Sequence, residues 1–238
     1  METEDIMSLK ELLGDSAWLF ELGFPIPRFD VTSSKTGKLD DLSWKLNAKY
    51  ATPPLETISE QPKNCEYRFA WHERGLMVEV DVHLPNRVKS DDAKSNSAVS
   101  MGVPSTLALY IDTRSSPGVH RASNYCHRFV FASPKPTSSK PVLQVDGESL
   151  KIPRAKDSPP PIRKEDLPAQ VSRISDSSYG WRVFLKSPIL HGYDPLEFPE
   201  IGLFAEIGDC DFRGSRMLRS AIVPAHEDPS TWCRGKLV

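Results

Sequence analysis

The chain has 238 residues, 39% of them hydrophobic and 9% aromatic, enough to build the core of one large β domain or of two small domains. Thirty Lys and Arg against 32 Asp and Glu leave a formal net charge of −2, which excludes the strong field that draws nucleic acid or an anionic membrane from a distance. No run of about 18 apolar residues is present to span a bilayer as a helix.

The start, Met-Glu-Thr-Glu-Asp, is acidic where a secretory signal needs a basic stretch followed by an apolar one, and it predicts a cytoplasmic chain. Ser8-Leu-Lys-Glu11 matches a capping box, with Leu9, Leu12 and Leu13 on one side and Gly14 as a stop, so a short N-terminal helix is expected. Trp18 to Leu22 reads as an apolar strand closed by Pro25 and Pro27. Residues 1–64 are taken as an extension that packs on the main body.

From Tyr67 the pattern sharpens. Tyr67–Trp71 and Leu76–Val82 flank His72-Glu-Arg-Gly75 and predict an antiparallel hairpin. Residues 85–105, rich in Ser, Asn, Asp and Lys without periodicity, read as an exposed loop. Leu107, Leu109 and Ile111 alternate with Ala108, Tyr110 and Asp112, and Phe129 and Phe131 alternate with Arg128 and Val130, giving two further strands around a turn-rich loop. The segment 133–170 carries eight prolines and is expected to be a long excursion with no buried regular element. Strands resume at Gly180–Leu185, Ile201–Ile207 and Arg219–Val223, with a brief helical turn at Pro188–Gly192. Many short strands with Pro and Gly punctuation predict a single all-β domain over 1–238: an antiparallel β-sandwich, immunoglobulin-like or jelly-roll-like.

The loop between the Leu107 and Phe129 strands gathers Asp112, Arg114, His120, Arg121, Cys126 and His127 at one rim, and that rim is where function is expected. Its signature is Asp112-Thr-Arg114, His120-Arg-Ala122 and Cys126-His-Arg-Phe129. With the order of strands around it, residues 65–238 resemble the family-nine carbohydrate-binding modules and the related DOMON-like domains, in particular a bacterial subgroup with this signature. The resemblance implies a β-sandwich and a ligand-binding class with no reaction. It also implies sugar ends held between aromatic side chains and, often, structural calcium. A pair of sandwiching tryptophans has no evident counterpart here. DOMON-like domains include haem binders, for which Met77 or Met101 with His120 or His127 would be the axial ligands.

Several chemistries compete for the rim. Asp112 and Arg114 can hold a polar ligand through charge-assisted hydrogen bonds, or they can pair with each other and fix the loop. Tyr110, Tyr125, Trp71 and Trp181 are candidate platforms for sugar C–H faces, with Asp112, Arg114, His120, Arg121 and His127 as polar partners. Tyr110 is singled out because its alternation opposes Leu109 and Ile111. His120, Cys126, His127 and Asp112 are ligand types for zinc or another transition metal, although adjacent residues of a strand point to opposite faces. Asp91-Asp92 and Asp209-Cys-Asp211 offer oxygen ligands for calcium. A Cys126–His nucleophilic pair would need an exposed, acidified thiol. Cys65, Cys126, Cys210 and Cys233 form no Cys-x-x-Cys pair, so free thiols are expected.

These readings converge on a non-catalytic domain that binds a glycan or another small polar ligand. A protein-interaction module, with the Pro-rich segment as contact, is the alternative, and a metal-dependent or Cys/His hydrolase is the enzymatic one.

Overall fold

Two stacked β-sheets account for most of the chain in the computed structural model, which describes residues 23–31, 38–52, 65–84, 104–115, 118–209, 212–216 and 225–238. The expected hairpin is β2 (Cys65–His72) and β3 (Gly75–His83), closed by Glu73 and Arg74. Gly75 is required there: its φ is 144°, and a Cβ would lie 2.1 Å from the carbonyl oxygen of Leu185. β3 pairs with β9 (Ser178–Lys186), β9 with β8 (Pro168–Ser175), and β8 with β6 (Val142–Asp146), all antiparallel. This sheet has the order β2-β3-β9-β8-β6.

The second sheet has seven strands, in the order β1-β12-β10-β4-β5-β7 with β11 also paired to β10. Its centre is β4 (Ser105–Asp112), between β5 (Cys126–Ser133) and β10 (Glu200–Asp209). β12 (Cys233–Leu237) follows β10, and β1 (Gly23–Ile26) joins β12 in parallel at the edge, where the missing N–H of Pro25 is tolerated. β7 (Glu148–Ser149) and β11 (Phe212–Arg216) are short.

Alternation explains the layering. Phe69, Val78, Val80, Trp181 and Val183 from one sheet meet Leu107, Leu109, Ile111, Phe129, Phe131 and Leu203 from the other, all at most 2% exposed. Trp71 and Trp181 are part of this core, at 7% and 0% exposure. The far face of the five-stranded sheet is also covered. Ala70, Met77 and Phe184 pack there under Phe29, Leu39, Leu42, Trp44, Leu46 and Tyr50. Met77 is therefore enclosed by apolar side chains and is fully buried. The carboxylate of Glu79 pins this layer, accepting the backbone N–H of Leu46 at 2.6 Å and Nε of Arg182 at 3.3 Å.

The Pro-rich segment departs from expectation. It carries β6 and β7 and enters β8, and Ile152, Leu167 and Ala169 are buried. Prolines fall between these strands or at their first residue, and β6 and β7 lie at sheet edges, so composition restricts where strands run without abolishing them. The expected helix at Ser8–Leu13, the strand at Trp18–Leu22, most of the 85–105 loop and the strand at Arg219–Val223 lie outside the described residues, as do Asp91, Asp92, Met101 and Asp211. Among the described residues no helix is long and apolar enough to cross a membrane.

Candidate functional site

Strand register builds a recess at the end of β4. Asp112 pairs with Gly202 in β10, and Gly202 with Arg234 in β12, so the three form one row on the sheet face opposite Leu109 and Ile111. Gly202 contributes no side chain, and the row dips between Asp112 and Arg234. The result is an open recess of about 20 Å³, lined by Asp112, Ser115, Gly202, Ser230, Trp232 and Arg234 among others, with room for about one water-sized group. A Cβ on Gly202 would lie 3.1 Å from Cβ of Asp112 and 3.6 Å from Cε3 of Trp232.

The floor is aromatic and rigid. Phe204 and Trp232 lie 5.4 and 5.7 Å from Tyr110 between ring centroids. The Arg128 guanidinium sits 5.6 Å over the Tyr110 ring, and Nε1 of Trp232 donates to the carbonyl of Ala225 at 2.6 Å. Tyr110 does face away from Leu109 and Ile111, as its alternation requires, but this cluster leaves it 2% exposed. Its ring therefore supports the recess from beneath and presents no platform.

Local hydrogen bonds fix the walls. Oδ1 of Asp112 accepts the backbone N–H of Arg114 at 3.0 Å, and Ser115 adopts a φ of 43° in the turn that follows. Asp112 is 4% exposed. Opposite it, Oδ1 of Asp228 accepts the N–H and the hydroxyl of Ser230 at 2.9 and 2.6 Å.

The predicted rim residues divide into distinct groups. The Arg114 side chain turns away from Asp112: its guanidinium carbon lies 3.4 Å over Phe198 and 5.1 Å from the Tyr125 ring. The contact between Asp112 and Arg114 is thus a side-chain cap on a turn. Tyr125 stacks on His191 at 5.3 Å with 7° between planes, and Asn124 holds that imidazole at 3.4 Å. Arg121 is exposed and donates from Nε to the carbonyl of Arg154 at 3.1 Å. Of the predicted residues only Asp112 lines the recess, while His120 reaches it through Ser230.

His120 raises the question of a Ser–His–Asp relay, because Oγ of Ser230 and Oδ2 of Asp228 both lie 3.0 Å from its ring. Both contact the same nitrogen, Nδ1. A relay needs the carboxylate on one ring nitrogen and the hydroxyl on the other, so this arrangement positions Ser230 and does not activate it.

Cys126 and His127 are interior groups. Cys126 is 2% exposed, and burial, with Asp112 nearby, pushes its thiol up to about 12, the reverse of what a nucleophile needs. His127 is fully buried and stacks on Phe129 at 5.6 Å. Burial holds its imidazole down at about 4, with Nε2 placed 3.4 Å from the carbonyl of His191 and Nδ1 without a partner. In the strand the two side chains point to opposite faces, so they do not converge on an ion with His120. Among the described residues no three His, Cys, Asp or Glu side chains are grouped to hold a metal. Cys65, Cys126 and Cys233 are free thiols.

Gly202, Ser230, Trp232 and Arg234 escaped sequence reading. Their signals were a glycine interrupting the apolar run Ile201–Ile207, which marks close approach or a gap on a strand, and Asp228-Pro-Ser, a capping pattern that fixes a serine. Nothing local joins either to Asp112.

The fold and site thus define an all-β sandwich with a small polar recess on the outer face of one sheet. No protein-family model matches the chain, and no curated protein matches it. Among solved structures the chain is similar to a family 9 carbohydrate-binding module from Caldicellulosiruptor kristjanssonii in complex with cellotriose, at 10% identity and a TM-score of 0.49 over 90% of this chain and 93% of that one. It is similar to the same module in complex with glucose at 10% identity and a TM-score of 0.49, over 91% and 95% of the two chains.

Proposed function

We propose that this chain is a non-catalytic domain that binds a carbohydrate or another small polar ligand at the recess between Asp112 and Arg234. The observation that carries the reading is the recess itself. Asp112, Ser115, Ser230 and Arg234 line a gap beside Trp232, and residues that can accept and donate beside an apolar one are what a polyol requires. The walls are fixed by the turn at Arg114 and by Asp228 before any ligand arrives, so little ordering cost falls on binding.

The test is titration of the purified domain with neutral mono- and oligosaccharides, glucose and cellotriose among them, by calorimetry. The expected result is saturable binding that Arg234→Met weakens by about tenfold or more, the loss of one charge-assisted hydrogen bond, with the melting temperature unchanged. Absence of binding across the panel would overturn the reading.

A further inference from the structure

The two edges of the five-stranded sheet are unequal. At the β2 edge the chain covers its own backbone: the N–H of Trp71 donates to Pro27, its carbonyl accepts from Phe29, and Thr52 donates to Tyr67. At the far edge β6 pairs with β8 and, among the described residues, with no other strand. The ladder fixes which groups are open there. Arg173 donates to the carbonyl of Pro141, and Gly147 to that of Leu167. The odd residues of β6 therefore bond inward, and Val142, Gln144 and Asp146 direct their N–H and C=O groups away from the sheet. All three are exposed, Val142 at 50%. An open edge is ordinarily guarded by charge or proline within it. Val142-Leu-Gln-Val145 has neither, and the charges at its two ends, Lys140 and Asp146, are opposite in sign.

We infer that two copies of this chain associate through β6, edge to edge and antiparallel, about a twofold axis at Leu143. Outward-bonding residues must face one another in such a ladder. With Leu143 on the axis, Val142 falls opposite Gln144 of the second copy, and each such pair exchanges both its hydrogen bonds. The same register sets Lys140 opposite Asp146 at both ends. A shift of two residues either way leaves Lys140 opposite no carboxylate of β6. Thr137 already occupies the backbone N–H and C=O of Lys140, so the ladder stops at Val142 and the lysine contributes its side chain alone. On the core side, the row Pro141, Leu143, Val145 meets its own reverse, apolar against apolar. Leu143 and Val145 already pack on the core, and Leu143 faces its copy at a non-hydrogen-bonded position, where side chains come closest. The two five-stranded sheets become continuous across the axis, and the recess takes no part.

Sedimentation equilibrium of the full chain at low salt, from about 1 μM to about 500 μM, tests this. A short ladder predicts a reversible dimer with a Kd in about the 10–100 μM range. Lys140→Glu and Asp146→Lys each set like charges against each other at both ends and should weaken association by about tenfold or more. An equimolar mixture of the two variants should recover the dimer, because each chain then meets the opposite charge at both ends. Gln144→Pro removes an outward N–H that no bond within the sheet uses and should abolish association, with thermal unfolding as the check on folding. Lys140 and Asp146 are exposed, so the charge variants decide the matter if the proline disturbs the fold. A chain that stays monomeric throughout the range, a dimer that the charge variants do not weaken, or a mixture that associates no better than its components overturns the inference.

Discussion

His127 should make the domain acid-labile in a way that one substitution removes. Its imidazole is fully buried against Phe129, and burial lowers its pKa from the ordinary 6.5 to about 4. In the unfolded chain the ring binds a proton near 6.5, so between about pH 6.5 and pH 4 the unfolded state carries more protons than the folded one. Stability then falls as the pH falls. At 1.36 kcal/mol per pH unit, His127 alone removes about 1.4 kcal/mol at pH 5.5 and about 3 kcal/mol by pH 4. His127→Phe keeps a planar ring on Phe129 and eliminates the unpartnered Nδ1. The carbonyl of His191 that faces Nε2 still accepts from Thr113 Oγ1 at 2.8 Å, so the variant should match or exceed wild type at pH 7.5. The assay is urea unfolding followed by tryptophan fluorescence from pH 7.5 to 4. The quantity of interest is the difference between wild type and variant, which cancels every other titrating group. That difference should grow toward acid by about 3 kcal/mol. A gap that stays level across the range would refute the buried neutral imidazole.

Glu79 should act in the opposite sense. Burial raises its pKa, against the lowering effect of the Leu46 N–H and Arg182, so the folded state holds its proton more tightly and the contribution to stability is lost as pH rises through the raised value. Relative to Glu79→Gln, wild type should therefore gain melting temperature as pH falls from neutral, and a wild type that loses melting temperature relative to the variant would contradict the assignment. Thiol labelling provides a third check. Cys126 at 2% and Cys233 at 0% exposure should react with a maleimide only at the rate of unfolding, accelerating with urea; prompt labelling of Cys126 in buffer would reopen the nucleophile that its burial excludes.

The strands that sequence revealed are those whose inward face is a full row of large apolar residues. β3, β4, β5, β9 and β10 sit in sheet interiors, and their alternation of large apolar residues is plain. β6 and β12 were missed because their solvent sides carry Gln144, Asp146, Arg234 and Lys236. At an edge or near one, the apolar half of the pattern shrinks to two or three residues. The Pro-rich composition of 133–170 obscured β6 and β7 further. Asp112 ends a strand as its alternation predicts, but alternation records which face a side chain takes and says nothing of what covers that face. Tyr110 illustrates the gap: its face follows from period 2, its burial from Phe204 and Trp232, which belong to strands and turns far along the chain.

The same physics explains why the candidate site is a row and not a loop. A loop ligand site must hold each side chain separately, whereas three neighbouring strands align Asp112, Gly202 and Arg234 by backbone pairing alone. The cost of placing a carboxylate at 4% exposure is offset by the Arg114 N–H it accepts, and the cost of a gap beside it is kept small by confining it to one missing side chain. On the proposed reading a recess of this size orients a ligand more than it holds it, because it buries few atoms and even the best small ligands gain at most about 1.5 kcal/mol per heavy atom. On the proposed reading, affinity must therefore come from the lip around it. His120, exposed and tethered to Ser230 and Asp228, is placed to supply that part.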